Sequence, residues 1–288
     1  KLALQAKAVT IMSLPYTSAT YGYVTMDKNG YFYKIEGSDS RLYKYSPTGS
    51  LVWQKSLPYL PINGNGNLGV ANDGSAVYVG LYDGSTTGGP YYYLYKYNSS
   101  GILVWANNTP DSNNYSPFRS IQCDDAGYVY VQRSGLSKIN PTTGASIYNA
   151  GSGQYPSGMG VTPDGRPFGS SDGGSSSYTE LYAASAAGVS KKIATSSSTT
   201  GNNTSWVGGD GAVGIASSDN YMYWLFTPES TYGGTMGWLV RSTDGVNLEK
   251  YMAIGGKKIS AARDNYGNIY ISDGSGTFKI DRYLNITA

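Results

Sequence analysis

The chain has 288 residues, 21 Lys plus Arg against 19 Asp plus Glu, one cysteine and no histidine, a length at which a single closed all-β domain is as usual as two average domains. No apolar run approaches the about 20 residues of a membrane-spanning helix, the basic residues are scattered singly where a nucleic-acid footprint needs a stripe, and Cys123 alone excludes an internal disulfide. Without histidine the commonest general base and metal ligand are gone, while 39 Gly and 29 Tyr beside only 14% charged residues favour strands joined by tight turns.

Residues 1–10, KLALQAKAVT, lack the apolar core of a signal peptide, and LALQAKAVTIM reads as a strand. From residue 20 two kinds of hairpin alternate. The inner kind runs from an apolar or small strand through an Asp, Asn or Gly turn into an aromatic strand: VTMDKNGYFYKI (24–35), GVANDGSAVYVG (69–80), SIQCDDAGYVYV (120–131), GVTPDGRPFGS (160–170), GIASSDNYMYWL (214–225) and ARDNYGNIYIS (262–272). Asp27 with Gly30, Asp124 with Gly127 and Asp264 with Gly267 put Asp first and Gly fourth, the preference of a type I β-turn. The outer kind is RLYKYSPTGSLVW (41–53) and YLYKYNSSGILVW (93–105), followed by LSKINPTTGASIY, LYAASAAGVSKKI, LVRSTDGVNLEKY and a degraded FKIDRYLNITA.

With Gly30, Gly74, Gly127, Gly165, Asn220 and Gly267 as markers, the steps are 44, 53, 38, 55 and 47 residues. Four short strands every ~40–50 residues is the period of a propeller blade. The expectation is therefore an all-β, six-bladed β-propeller of four-stranded antiparallel blades, one domain over 1–288. Its blades cover about 20–57, 68–106, 119–149, 158–195, 212–254 and 258–288 plus 1–12. The N-terminal strand is expected to complete the last blade and close the ring, which removes sheet edges.

The aromatic strand, the Leu-Tyr strand, the Gly turn and the run ending in Trp (GYFYKI, RLYKYSPTGSLVW) resemble the PQQ-like β-propeller repeat of bacterial quinoproteins and of many bacterial and phage surface proteins. The match is good in blades one and two and weak in four to six. Trp53 and Trp105 keep the terminal Trp, and their equivalent positions make them structural. In the quinoprotein enzymes the ring is larger and cradles a cofactor. This chain has fewer blades and no vicinal cysteines, so the resemblance implies the blade and not the cofactor.

With strands named a to d from the axis outward, the a–b and c–d turns are short in nearly every blade. The b–c connections (82–92, 171–177, 227–237) and d–a connections (58–67, 107–119, 151–157, 196–210) are long and uneven, and in a propeller both emerge on one face. Loops longer than register requires are usually functional or disordered. Tyr59, Tyr91, Tyr92, Asn113, Tyr115, Tyr155, Trp206 and Tyr232 are the binding candidates on that face. Aromatic faces pack on sugar C–H surfaces and short polar groups bond hydroxyls; the competing reading is that these tyrosines pack between loops and blades.

Asp39, Asp83, Asp172 and Asp273 recur at the b–c connections, as a carboxylate ring or as turn-forming Asp-Gly, and the second reading is favoured. No loop has the spacing of a calcium motif, and no cofactor is expected. Glu229 is the best general-acid candidate if the chain is an enzyme. Cys123 stands where blade one has Met26, so it is expected to be a buried small hydrophobe. No catalytic signature is present. The favoured expectation is a non-enzymatic recognition module that binds a cell-surface polysaccharide or receptor protein through the loop-rich face, at an extracellular or virion surface. The PQQ-like resemblance supplies that setting, with other virion proteins or a second copy as further partners. The alternatives are a carboxylate-dependent carbohydrase or lyase, and a structural virion or filament subunit.

Overall fold

A computed structural model describes residues 22–36, 40–58, 67–83, 91–109, 118–133, 135–150, 158–171, 180–184, 190–195, 212–216, 220–226, 236–247, 250–255, 260–263, 268–272, 277–281, 283 and 285–286. Among them the strands form six antiparallel sheets in chain order. The first holds β1 (Gly22–Met26), β2 (Phe32–Glu36), β3 (Arg41–Tyr45) and β4 (Leu51–Ser56); the second β5 (Asn67–Val70), β6 (Ala76–Asp83), β7 (Tyr91–Asn98) and β8 (Leu103–Thr109). The third holds β9 (Ser120–Cys123), β10 (Val129–Gln132), β11 (Leu136–Ile139) and β12 (Ser146–Ala150); the fourth β13 (Gly158–Val161), β14 (Pro167–Ser171), β15 (Glu180–Ala184) and β16 (Ser190–Thr195). The fifth holds β17 (Ala212–Ala216), β18 (Met222–Phe226), β19 (Met236–Ser242) and β20 (Lys250–Gly255), and the sixth β21 (Ser260–Arg263), β22 (Ile269–Ser272) and β23 (Thr277–Ile280). In the sixth, β23 is followed by a turn closed by Asp281, and the pairing beyond it is a single bridge between Ile280 and Ile286.

Turn chemistry closes the hairpins as the sequence leads one to expect. The N–H of Gly30, Gly74, Gly127 and Gly165 each donates to the carbonyl of the residue three before it, and these glycines sit at φ 81, 74, 85 and 84. That left-handed conformation costs glycine nothing. Asn220 takes the same place at φ 64, as Asn tolerates better than other residues. The second inner turn is one residue longer than its neighbours: Val70 pairs Val77, where Met26 pairs Phe32 and Cys123 pairs Val129.

From the second onward, each sheet packs its inner strand on the sheet before it. Leu68 and Val70 lie in one cluster with Tyr33, Ile35 and Leu42; Ile121 and Cys123 join Ala71, Tyr78, Tyr92 and Leu94; Met159 and Val161 join Tyr130 and Leu136. The core is thus a series of layers between sheets, each burying both faces. Cys123 is buried, as expected, although Met26 at the equivalent place in β1 is 53% exposed.

The repeated Tyr-Lys-Tyr and Trp are a junction between sheets. The Lys44 ammonium sits over the rings of Tyr31 and Tyr33, and it donates to the Ser99 carbonyl in the next sheet's c–d turn at 3.2 Å. The Trp53 indole N–H donates to that same carbonyl at 3.0 Å. One sheet on, Lys96 and the Trp105 indole both donate to the Pro141 carbonyl, at 2.7 and 3.0 Å. The fourth sheet has Ala183 in β15 where β3 has Lys44, each paired to the second residue of its b strand, Phe168 and Tyr33. Arg166, from the inner turn, supplies the missing donor instead, reaching the Thr243 carbonyl at 2.8 Å and the Asn220 carbonyl at 3.3 Å.

Candidate functional site

The inner turns are tied to one another sheet by sheet. Asp27 organises the first: Oδ1 accepts the N–H groups of Asn29 at 2.8 Å and Tyr31 at 3.1 Å, and Oδ2 accepts the Tyr33 hydroxyl at 3.0 Å. Asp124 repeats this in the third sheet with the Tyr128 N–H at 2.8 Å and the Tyr130 hydroxyl at 3.0 Å. The Tyr130 hydroxyl also lies 2.8 Å from the Gly165 carbonyl of the next turn. Between turns, the Lys28 N–H donates to the Asn72 carbonyl, the Asn72 amide to Asp125, the Asp125 N–H to the Pro163 carbonyl and the Asp164 N–H to the Asn220 side chain.

These turns wall a polar groove of about 930 Å³. Exposed Lys28, Asn29, Asp73, Ser75, Asp125 and Thr142 stand along it, and buried Ala71, Ala76, Tyr78 and Asp124 with half-buried Lys96 lie deeper. Burial pushes the Asp124 carboxyl above its ordinary value, against the pull of the Tyr128 N–H and Tyr130 hydroxyl bonds. Hydrogen bonds from the Ser75 hydroxyl and N–H hold Asp73 below the usual range. Burial lowers Lys96 and pushes the Cys123 thiol far up, which removes it as a nucleophile. The groove offers hydroxyls, amides and one deep ammonium, the equipment for holding a polar, hydroxyl-rich ligand.

The groove lies at the short a–b and c–d turns, the face opposite the one that carries the long connections. Of the sequence candidates, Tyr59, Asn113, Tyr115, Tyr155, Trp206 and Tyr232 lie outside the described residues, as do Asp39, Asp172, Asp273 and Glu229. Asp83 and Tyr91 are register partners at the end of the β6–β7 pair, so this connection is shorter than expected. Tyr92 is a correction. It is 2% exposed, meets Phe118 edge to face at 5.8 Å and lies 4.1 Å beneath the Arg133 guanidinium, because strand alternation turns it inward beside Leu94. Tyr78 and Lys96 were not singled out from sequence; aligning the inner turns, which sets Ala71 against Asp27 and Asp124, is the signal that leads to them.

No protein-family model matches the chain, and no curated relative does. Among solved structures, virginiamycin B lyase from Staphylococcus aureus superposes with a TM-score of 0.62 at 12% identity, covering 96% of this chain and 86% of that one. BamB from Moraxella catarrhalis does so with a TM-score of 0.54 at 14% identity, covering 89% and 70%. The chain has the β-propeller fold. Regucalcin from Agrobacterium tumefaciens, described as a calcium-binding protein, is a further propeller at TM-score 0.51 and 12% identity, over 89% and 83% of the two chains. These neighbours support the PQQ-like resemblance of the blades, and their roles are diverse. Among the described residues of this propeller no group of His, Cys, Asp and Glu is placed to hold a metal ion.

Proposed function

We propose that this propeller is a non-enzymatic recognition module that binds a cell-surface polysaccharide at an extracellular or virion surface. The observation that carries the reading is the polar groove, in which the buried carboxylates of Asp27 and Asp124 are committed to turn hydrogen bonds and the remaining polar groups are hydroxyls, amides, the exposed carboxylates of Asp73 and Asp125 and the ammonium groups of Lys28 and Lys96. One neighbour is a lyase, a catalytically inactive form of which replaces a histidine by alanine. This chain has no histidine with which to do such chemistry. The long connections of the opposite face, with Tyr59, Tyr115, Tyr155, Trp206 and Tyr232, form a second surface for the same task or for a receptor protein.

The reading includes a closed ring of six blades, completed by the strand at 1–12. Two observations support it. Val24 and Met26 of β1 are 55% and 53% exposed, whereas Leu68, Val70, Ile121, Met159 and Val161 at the equivalent places are buried by the preceding blade. Among the described residues the sixth sheet has three strands where its neighbours have four. A sixth blade completed by a fourth strand, with its inner strands set against β1, answers both.

The test is binding of purified protein to a panel of bacterial surface glycans and cells, with released sugar assayed in the same mixtures and Trp206→Ala and Tyr115→Ala in parallel. Saturable binding without release supports recognition. Release overturns it in favour of a carbohydrase or lyase, and silence in both channels favours a structural subunit.

A further inference from the structure

In blades one and three the buried tyrosine of strand b gives its hydroxyl to a turn aspartate: Tyr33 to Asp27 and Tyr130 to Asp124, each at 3.0 Å. The lysine paired across from that tyrosine, Lys44 or Lys138, lies over its ring and feels the same carboxylate. Blade two keeps the tyrosine and the lysine and loses the aspartate. Tyr78 pairs with Lys96 in the same register, but the turn begins with Ala71. In blade four, where Thr162 stands at this place, the tyrosine is also replaced, by Phe168, so no hydroxyl is left over.

The consequence is a hole of defined shape. Tyr78 is 1% exposed and lines the groove, and its turn has Ala71 at the place from which Asp27 and Asp124 accept the hydroxyls of Tyr33 and Tyr130. Lys96 donates to the Pro141 carbonyl and has no carboxylate partner. A Cβ built on Gly74 or Gly165 would strike the carboxylate of Asp27 or Asp124, yet one built on Gly127, the matching glycine beyond blade two, meets nothing within 4 Å. An ammonium carries three N–H donors, so beside its bond to the Pro141 carbonyl Lys96 can face a carboxylate entering from the groove, and the Tyr78 hydroxyl can donate to the same group.

We propose that this hole is a carboxylate subsite, in which the acid group of the ligand stands where Asp27 and Asp124 stand in the adjacent blades, accepting from the Tyr78 hydroxyl and facing Lys96. The ligand class is an acidic polysaccharide bearing uronate sugars, whose ring hydroxyls meet Asn72, Ser75 and Thr142 around the groove. The sugar part rests on the recognition reading above; the carboxylate part rests on the repeat. Asp27, Asp73, Asp124 and Asp125 also line the groove and do not forbid an anion. Asp27 and Asp124 occupy the same place in their own blades with Asp73 and Asp164 of the next turn near the tyrosine they bind.

The test is titration of the intact chain with oligogalacturonate, glucuronate, neutral glucose oligomers and an aspartate-rich peptide, on wild type, Ala71→Asp and Tyr78→Phe. Ala71→Asp supplies the missing carboxylate from within, so it is expected to raise the melting temperature and abolish uronate binding together. Tyr78→Phe, which keeps the ring, is expected to weaken binding about 10- to 100-fold, the loss of a hydrogen bond to a charged group. Uronate binding unchanged in both variants overturns the subsite. Glycan binding confined to neutral oligomers overturns it and leaves recognition standing; no glycan binding at all overturns both. Binding of the aspartate peptide without uronate overturns the sugar assignment.

Discussion

Gly80→Ala is the perturbation that reads the packing between blades most directly. In a strand interior this exchange ordinarily stabilises by about 0.5–1 kcal/mol, because glycine loses more freedom on folding. Here a Cβ would stand 2.5 Å from Cγ of Phe118 and 2.7 and 2.8 Å from its two Cδ atoms. Carbon atoms pack at about 3.5–4.0 Å, so the ring has to withdraw by about 1 Å. It has little room: Phe118 is 2% exposed, Tyr92 abuts it at 5.8 Å and the Arg133 guanidinium lies 5.4 Å from its centre. Overpacking of this kind costs about 1–3 kcal/mol. At about 2–4 °C per kcal/mol, the melting temperature should fall by roughly 2–12 °C. Thermal unfolding followed by circular dichroism measures it, and Phe118→Leu in the same chain should recover part of the loss. A Gly80→Ala protein as stable as wild type, or a double variant whose losses simply add, refutes the packing described for this junction.

Lys44→Met and Trp53→Phe each remove one donor from the Ser99 carbonyl and should cost about 0.5–1.5 kcal/mol in urea unfolding. Because the two share one acceptor, the double-mutant cycle should show a coupling above about 0.5 kcal/mol, and strict additivity would contradict the shared junction. Arg166→Lys keeps the charge and loses the fork that spans the Thr243 and Asn220 carbonyls, so a destabilisation of about 1–3 kcal/mol is expected by the same measurement. The acid limb of stability should carry two opposite signs. Hydrogen bonds from the Asn247 and Val246 N–H groups hold Asp244 below its ordinary 3.8. Its stabilisation is therefore present above that value and lost as pH falls through the folded one, and the gap between wild type and Asp244→Asn closes on acidification. Asp124, raised by burial, binds its proton more tightly folded than unfolded, so its ionisation costs stability as pH rises from 3.8 through the folded value; carbon-13 carboxyl titrations of the two should fall on either side of 3.8.

What could be read from the chain was local chemistry. Asp at the first and Gly at the fourth turn position predict the hairpin because the side chain and the φ they supply act within four residues, as at Asp27 and Gly30. The role of Lys44 was not legible, since its acceptor is a backbone carbonyl 55 residues on, and a carbonyl leaves no mark on residue type. Tyr92 was assigned to the surface because tyrosine suits a buried layer and a sugar platform equally; only the Phe118 ring opposite it decides. Cys123 was placed in the core by analogy with Met26. The outcome is right, but Met26 itself is exposed, because burial at this position depends on the preceding blade and not on the residue. The groove is not legible in the chain for a similar reason: it arises from what Ala71 lacks, and an alanine in an apolar strand-and-turn pattern carries no mark of a missing carboxylate.

The Lys-and-Trp junction gives blades one and two a donor flank, and the blade after each an acceptor flank. A unit of that kind has a direction, like a tongue-and-groove board. Repeating a unit of the Lys-and-Trp kind keeps its joint chemically matched, because the acceptor is a backbone carbonyl that any residue supplies. Losing one tongue does not break the row, provided the same board grows another, as Arg166 does where Ala183 cannot reach.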